Sequence, residues 1–304
     1  AFAISYYVDS CMVSYLMESP HRETLLKKYL PGLMTGWTVM AAGITHPEGS
    51  TNIPEWPILA KRDGNDWVLN GSKLYVTNCG KADLVAFIGL TEDHEMRCFI
   101  VDPSDPGVDD NYIEEKLGLR GNCSGSYFLT DVRVPDEYSF PKNPLEGFGP
   151  GNALCAAVAL GCAEGVLAKT MEFVQHRSHK GAPIGSKQVV AHRIARMWGQ
   201  IEQSRALIYE SLGMADHIIA TGDVTSAALT KMLICTSKYT TCEMAIEVAK
   251  QCVWLHGGLG IVEETGIARY LRDAQTLSIA DGTPDLHIES VAFLLGMPGA
   301  QLTI

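Results

Sequence analysis

The sequence predicts an α+β chain: a short, truncated helical start, a middle antiparallel β-barrel and a C-terminal four-helix bundle. Three observations carry this. Residues 38–138 hold short apolar runs separated by Gly, Asn and Asp, the texture of a small antiparallel barrel. From residue 139 to residue 304, apolar residues recur at i, i+3 and i+4, the period of amphipathic helices packed into a bundle. Residues 1–37 show the same helical period ahead of the strands.

In the first segment, Met12, Tyr15 and Leu16, then Leu25, Leu26, Tyr29 and Leu30, fall on helical faces. Ser19-Pro20 breaks the run into two helices, and Pro31-Gly32 is expected to end the second. In the middle segment, MAAGIT reads as a strand. Trp67-Val68-Leu69 and Lys73 to Thr77 read as a hairpin turning at Asn70-Gly71, the strongest short hairpin signal. Leu84 to Leu90, Cys98 to Val101, Tyr127 to Leu129 and Val132 to Pro135 are the remaining strands. A Pro/Gly-rich loop, FPKNPLEGFGPGN, leads to helices over Leu154–Val174, Val189–Leu212, Ala227–Trp254 and Ile288–Leu295. Thr283 suits an N-cap, Pro284 the first helical position and Asp285 the positive end of the helix dipole.

The 304 residues carry a net charge of −11, which argues against a nucleic-acid surface and an anionic membrane surface. Nine cysteines, at 11, 79, 98, 123, 155, 162, 235, 242 and 252, form no CxxC pair, and their number is odd. Thiols in a reducing compartment are therefore expected, the cytoplasm of a bacterium first and a mitochondrial matrix second. The nine histidines show no HExxH, and no metal site is expected. No apolar run reads as long enough to span a bilayer, and no signal peptide is visible. The chain opens on AFAISYYVDS, without Met and in mid-pattern.

The chemistry concentrates in residues 254–290, WLHGGLGIVEETGIARYLRDAQTLSIADGTPDLHIES. Two glycine-bearing loops bracket Arg272-Asp273-Ala274, and glycine lets backbone approach a ligand closely. Asp281 is the one acid at the mouth of the second loop. Alone, an Asp-Gly pair reads first as a solvated turn.

Four further stretches stand out: LNGSKLYVTNCGKAD at 69–83, GITHPEGSTN at 43–52, KLGLRGNCSGSYFLTDVRVP at 116–135 and RSHKGAPIGSKQ at 177–188. With GG-x-G, RDA and acid-Gly-Thr in that order, the chain from about residue 20 resembles the acyl-CoA dehydrogenase family, as a divergent member. Members of that family normally carry several more helices before this point. The resemblance implies FAD, α,β-desaturation of an acyl-CoA thioester or its reverse, and Asp281 in the place of the base, which is usually Glu. It implies Tyr75 against the flavin ring and Thr77 hydrogen-bonded near its reactive nitrogen. Thr45 would meet the pyrimidine, Gly49 and Ser50 the pyrophosphate, and Gly257, Gly258 and Thr283 would complete the contacts. Arg177 and Gln188 would reach the FAD of a neighbouring subunit, which implies a homodimer or homotetramer. An electron-transfer flavoprotein is the family's usual partner.

Several positions depart from the family's pattern. His46 replaces the usual Glu, Lys180 a Phe, Trp254 a Gln and Ala280 a Tyr; Asn152 stands where an Arg is usual. Two other readings follow from these departures. One is an enzyme like nitroalkane oxidase, which shares an Asp base but has an Arg where this chain has Ile288. The other is a catalytically weak FAD-binding subunit of a heteromeric complex.

Overall fold

The computed structural model describes residues 2–49, 53–142 and 149–300. They divide into two compact units, one holding the described residues up to 116 and from 120 to 142, the other residues 117–119 and 149–300.

The first unit opens with α1 (Phe2–Glu18) and α2 (Arg22–Thr35), parted at Ser19-Pro20 as the sequence predicts. Pro31 does not end α2. It sits inside the helix, which runs one further turn and stops at Gly36, whose φ of 74° supplies the left-handed cap. Eight strands follow: β1 (Met40–Gly43), β2 (Ile58–Asp63), β3 (Asp66–Thr77), β4 (Leu84–Thr91), β5 (Met96–Val101), β6 (Val108–Ile113), β7 (Ser124–Pro135) and β8 (Ser139–Pro141). They form one sheet in the order β6-β7-β3-β2-β4-β5-β8, with β1 paired to β4.

The sheet is mixed, which corrects the antiparallel expectation. β1 pairs in parallel with β4, Met40 opposite Leu84, and β2 pairs in parallel with β4, Ile58 opposite Leu90. Parallel partners are joined by long connections rather than by tight turns, so no local turn signal reports them. All eight residues of β4 are buried. Its residues alternate between two cores, as side chains on a strand must. Val85 and Phe87 join Leu69, Phe99, Tyr127 and Val132 on one side. Leu84, Ala86 and Ile88 meet Met12, Leu16, Leu25 and Ile100 on the other.

The hairpin is also displaced. β3 runs unbroken through Asn70-Gly71, where its register with β7 shifts and Gly71 takes φ 142°, a bulge rather than a turn. The turn lies at Gly64-Asn65, between the paired Asp63 and Asp66. Asn70 is held in the sheet by exchanging hydrogen bonds with Asp131 at 3.0 Å in each direction.

The second unit contains α3 (Pro150–His176), a two-stranded hairpin of β9 (Ser178–His179) and β10 (Ala182–Pro183), α4 (Gln188–Thr221), α5 (Ala227–His256), α6 (Ile267–Ile279) and α7 (Pro284–Leu294). α5 is central and packs against α3, α4, α6 and α7. The fourth arm of the expected bundle is thus two helices broken at residues 280–283. The first of them, α6, occupies the segment between the two glycine loops, which the sequence does not mark as a helix. α3 corrects another expectation: at 27 residues it is long and apolar enough to cross a membrane by length and composition. Its apolar positions Ala153, Ala156, Ala159, Ala163 and Val166 are buried in the protein.

Candidate active site

The turn between α6 and α7 carries Asp281. Its backbone is left-handed, φ 54°, and Gly282 follows at φ 100°. The Asp281 side chain is exposed, while the carbonyls around it turn inward. Asn152 on α3 donates to Asp281 O at 2.9 Å, and His287 Nε2 on α7 approaches the same oxygen at 3.0 Å. Lys238 Nζ on α5 lies 3.1 Å from Leu277 O, 3.3 Å from Ser278 O and 3.2 Å from Gly282 O.

Lys238 is fully buried. Removing an ammonium from water costs several kcal/mol, and each hydrogen bond to a charged group returns about 1.5–3 kcal/mol. Three carbonyls therefore offset much of that cost. His287 is buried as well, and burial with the nearby Lys238 charge pushes its pKa down to about 4. It is neutral at pH 7, so its Nε2–H can donate to the Asp281 carbonyl. Thr283 and Pro284 occupy the N-cap and first helical positions of α7, as the sequence predicts. The Thr283 side chain makes no capping bond among the described residues.

The glycine loop follows α5. Gly257 takes φ 59° and ψ −135°, and a Cβ added at Gly257 or Gly258 would meet no atom within 4 Å. Their backbone is open to a ligand. Trp254 beside them is 57% exposed. His256 is a core residue stacked on Phe173 with centroids 4.1 Å apart. Arg177 and Gln188 are exposed at the two ends of the β9–β10 hairpin and its short 3-10 turn. The hairpin turns at Lys180-Gly181, both at positive φ, 54° and 81°, the geometry that two-residue loops favour.

The RDA stretch is structural. Arg272 makes a two-pronged pair with Glu263 at 2.6 and 2.8 Å. Asp273 accepts from the Leu119 N–H at 2.6 Å.

In the first unit, β3 presents Tyr75 and Thr77. The register with β7 shifts between Lys73 and Val76, and Tyr75 sits in the bulge at φ 57°, 66% exposed. Thr77 ends the strand, half-buried. Leu74 N donates to Thr45 O at 2.9 Å, so the Thr45 loop is tied to the same strand. Gly49 closes that loop on His46 with φ 112° and no neighbour within 4 Å of a Cβ position. Ser50 lies outside the described residues.

Beneath the loop is a group the sequence reading did not single out. Lys73 is fully buried; its Nζ bonds to Ile44 O at 2.8 Å, to Ile88 O, and to His46 Nε2 at 2.6 Å. The Trp56 ring lies 4.9 Å from the same nitrogen. Burial drives the Lys73 pKa well below its ordinary value. Burial and the Lys73 charge push His46 down to about 4. The signal for Lys238 was a lysine among Ile234, Cys235, Thr241 and Cys242 on one helix face. For Lys73 it was an inward register position on β3.

Comparison with known proteins gives two family matches: "Acyl-CoA dehydrogenase, middle domain" over residues 41–132 and "Acyl-CoA dehydrogenase, C-terminal domain" over residues 143–295. A short-chain-specific acyl-CoA dehydrogenase of Megasphaera elsdenii is 29% identical over 280 residues, 88% of this chain and 70% of that protein. Butyryl-CoA dehydrogenase from Megasphaera elsdenii superposes with a TM-score of 0.80 at 28% identity, over 90% of this chain and 72% of its own. A glutaryl-CoA dehydrogenase from Mycobacterium smegmatis in complex with FADH2 gives 0.84 at 26% identity, over 97% and 75%.

Proposed function

The chain belongs to the acyl-CoA dehydrogenase family, and from that premise we propose that Asp281 is the base of its reaction. The protein is an FAD-dependent oxidoreductase acting on the CH–CH group of an acyl-CoA thioester. The nitroalkane-oxidase-like and weakly active readings are not favoured, because the relatives are named dehydrogenases of short-chain, butyryl and glutaryl thioesters.

The residues present suit the dinucleotide. Gly49, Gly257 and Gly258 leave backbone uncovered, where a Cβ would meet nothing of the protein. Tyr75 offers a flat exposed aromatic and Thr77 a hydroxyl at the strand end, the pairing a ring system with polar edges takes. We assign Thr45, Gly49, Ser50, Tyr75, Thr77, Gly257, Gly258 and Thr283 to its contacts. Arg177 suits a diphosphate through its planar fork. With Gln188 it is assigned to the FAD of a second subunit in a homodimer or homotetramer. An electron-transfer flavoprotein as electron acceptor belongs to the same proposal.

FAD held by these residues would supply the acceptor for the hydride lost from the substrate's β-carbon. Asp281 takes the α-proton: its carboxylate forms an O–H bond as the Cα–H bond breaks, and the electron pair left behind becomes the double bond. Asp is one methylene shorter than Glu, and a misplacement of about 1 Å can cost about 10²-fold in rate. The reach must be recovered by where the turn holds the residue. The observation that carries the reading is an exposed carboxylate on a left-handed turn whose Asp281 and Gly282 carbonyls are drawn inward by buried donors.

Asp281→Asn is expected to abolish anaerobic flavin reduction by acyl-CoA while the protein stays yellow. Unchanged reduction removes Asp281 from the base role. Arg177→Ala is expected to lower FAD occupancy at purification; full occupancy would overturn the shared site.

A further inference from the structure

We propose that Lys238 is a positioning residue for the base, its buried ammonium anchoring the 277–282 turn from inside and holding Asp281 outward and ionised, with His287 and Asn152 as neutral co-anchors. The inference rests on the assignment of Asp281 above.

Charge follows from hydrogen counting. A neutral amine has two hydrogens and an ammonium has three. Lys238 Nζ stands within 3.1–3.3 Å of three carbonyl oxygens, those of Leu277, Ser278 and Gly282. Only the ammonium can donate to all three. Asp281 O, which Lys238 does not reach, takes Asn152 Nδ2 and His287 Nε2. Four carbonyls are thus fixed by three side chains from three helices, α3, α5 and α7, each at most 5% exposed. A residue other than glycine keeps φ near +54° only where its surroundings hold it. With the carbonyls of Asp281 and Gly282 both drawn inward, the Asp281 side chain is left on the exposed side.

The bland alternative is that Lys238 merely caps the end of α6. The two readings differ in whether the charge matters. A buried cation beneath a carboxylate favours its ionised form. Among the described residues, Cys242 from α5 and His287 from α7 are titratable groups that face the turn. Cys242 donates to Leu277 O at 3.7 Å with its thiol pKa raised by burial, and His287 is neutral. Glu243 on α5 and Asp285 in the first turn of α7 are exposed carboxylates, which oppose the effect and do not supply it. α3 contributes Asn152, and α6 contributes the carbonyls of Leu277 and Ser278.

The test uses the FAD-loaded protein and anaerobic flavin reduction by an acyl-CoA, followed from acid to alkaline pH. Lys238→Gln keeps hydrogen-bond donors but removes the charge. It is expected to move the acidic limb of the rate profile upward by about one pH unit, with rates converging on wild type at alkaline pH. A uniformly lower rate with the limb in place would reduce Lys238 to a cap and overturn the proposal. If Lys238→Gln does not hold FAD, Asn152→Ala and His287→Gln decide. Each is expected to lower the maximal rate at least about tenfold with little change in KM, the size of effect that loosening a positioned group produces. Rates within twofold of wild type in both overturn the clamp. Asp281→Asn run alongside separates the layers. Full activity there sinks the base assignment and this inference with it, whereas loss of activity there with an unmoved limb in Lys238→Gln sinks this inference alone.

Discussion

Gly257, Gly258 and Gly260 stand within four positions of one another and are glycine for three different reasons. Gly257 has φ 59° and ψ −135°, a conformation closed to a side chain. Gly260 has no room: a Cβ would lie 2.2 Å from Val253 O. Gly258 has neither constraint, with an ordinary φ and open space around its Cβ position. Nothing among the described residues requires glycine there, and the cofactor assignment supplies the requirement. Gly258→Ala is therefore expected to leave the melting temperature of the FAD-free protein within the scatter of ordinary surface substitutions, about ±0.5 kcal/mol in stability. It is expected to weaken FAD binding about tenfold or more, because the added methyl occupies the line of approach. Quenching of flavin fluorescence on titration measures the second quantity. Full affinity would mean that the dinucleotide does not pass over this backbone.

At the scale of elements, the KLG and RDA stretches are two halves of one contact. Gly118 lies against the backbone of α6, where a Cβ would stand 2.3 Å from Arg272 O and 2.7 Å from Asp273 N. Leu119, at φ 53°, then gives its N–H to Asp273. Backbone cannot yield as a side-chain tip can, so Gly118→Ala is expected to cost about 1–3 kcal/mol or somewhat more. Urea unfolding would check this; a midpoint equal to wild type would show that the contact is slack. Much of this level was readable beforehand. The break at Ser19-Pro20, the long run of α5 and the Thr283-Pro284 start of α7 are local signals with local causes. What was not readable depended on distant chain. The dipeptide Asn70-Gly71 has the chemistry of a turn, but pairing with β7 on either side keeps it in the strand, and the turn moved to Gly64-Asn65. Parallel pairing of β1 and β2 with β4 leaves no turn residue to read. Lys238 reads as a solvated lysine until α6, some 40 positions later in the chain, brings it three carbonyls. The candidate base was legible as a residue, and the machinery holding it was not.

At the scale of the whole molecule, each unit contains a buried neutral histidine beside a buried lysine. His46 meets Lys73 in the first and His287 lies near Lys238 in the second, and both are held down to about 4. In the unfolded chain both would titrate near 6.5. Between pH 6.5 and about 4 the unfolded state therefore binds more protons than the folded one. Unfolding draws in protons across that window, so stability is fully present above pH 6.5 and falls as the pH is lowered toward 4. The two units are expected to weaken over the same interval, because each carries one such histidine. Thermal melts from pH 7.5 to 4.5 should show a falling midpoint that begins near 6.5, above the range where carboxylates titrate. His46→Gln keeps a polar group against Lys73 without a site for the extra proton. It is expected to flatten the slope between pH 6.5 and 5 by roughly the one proton that His46 contributes. A slope identical to wild type would show that His46 takes up its proton in the folded state as readily as in the unfolded chain.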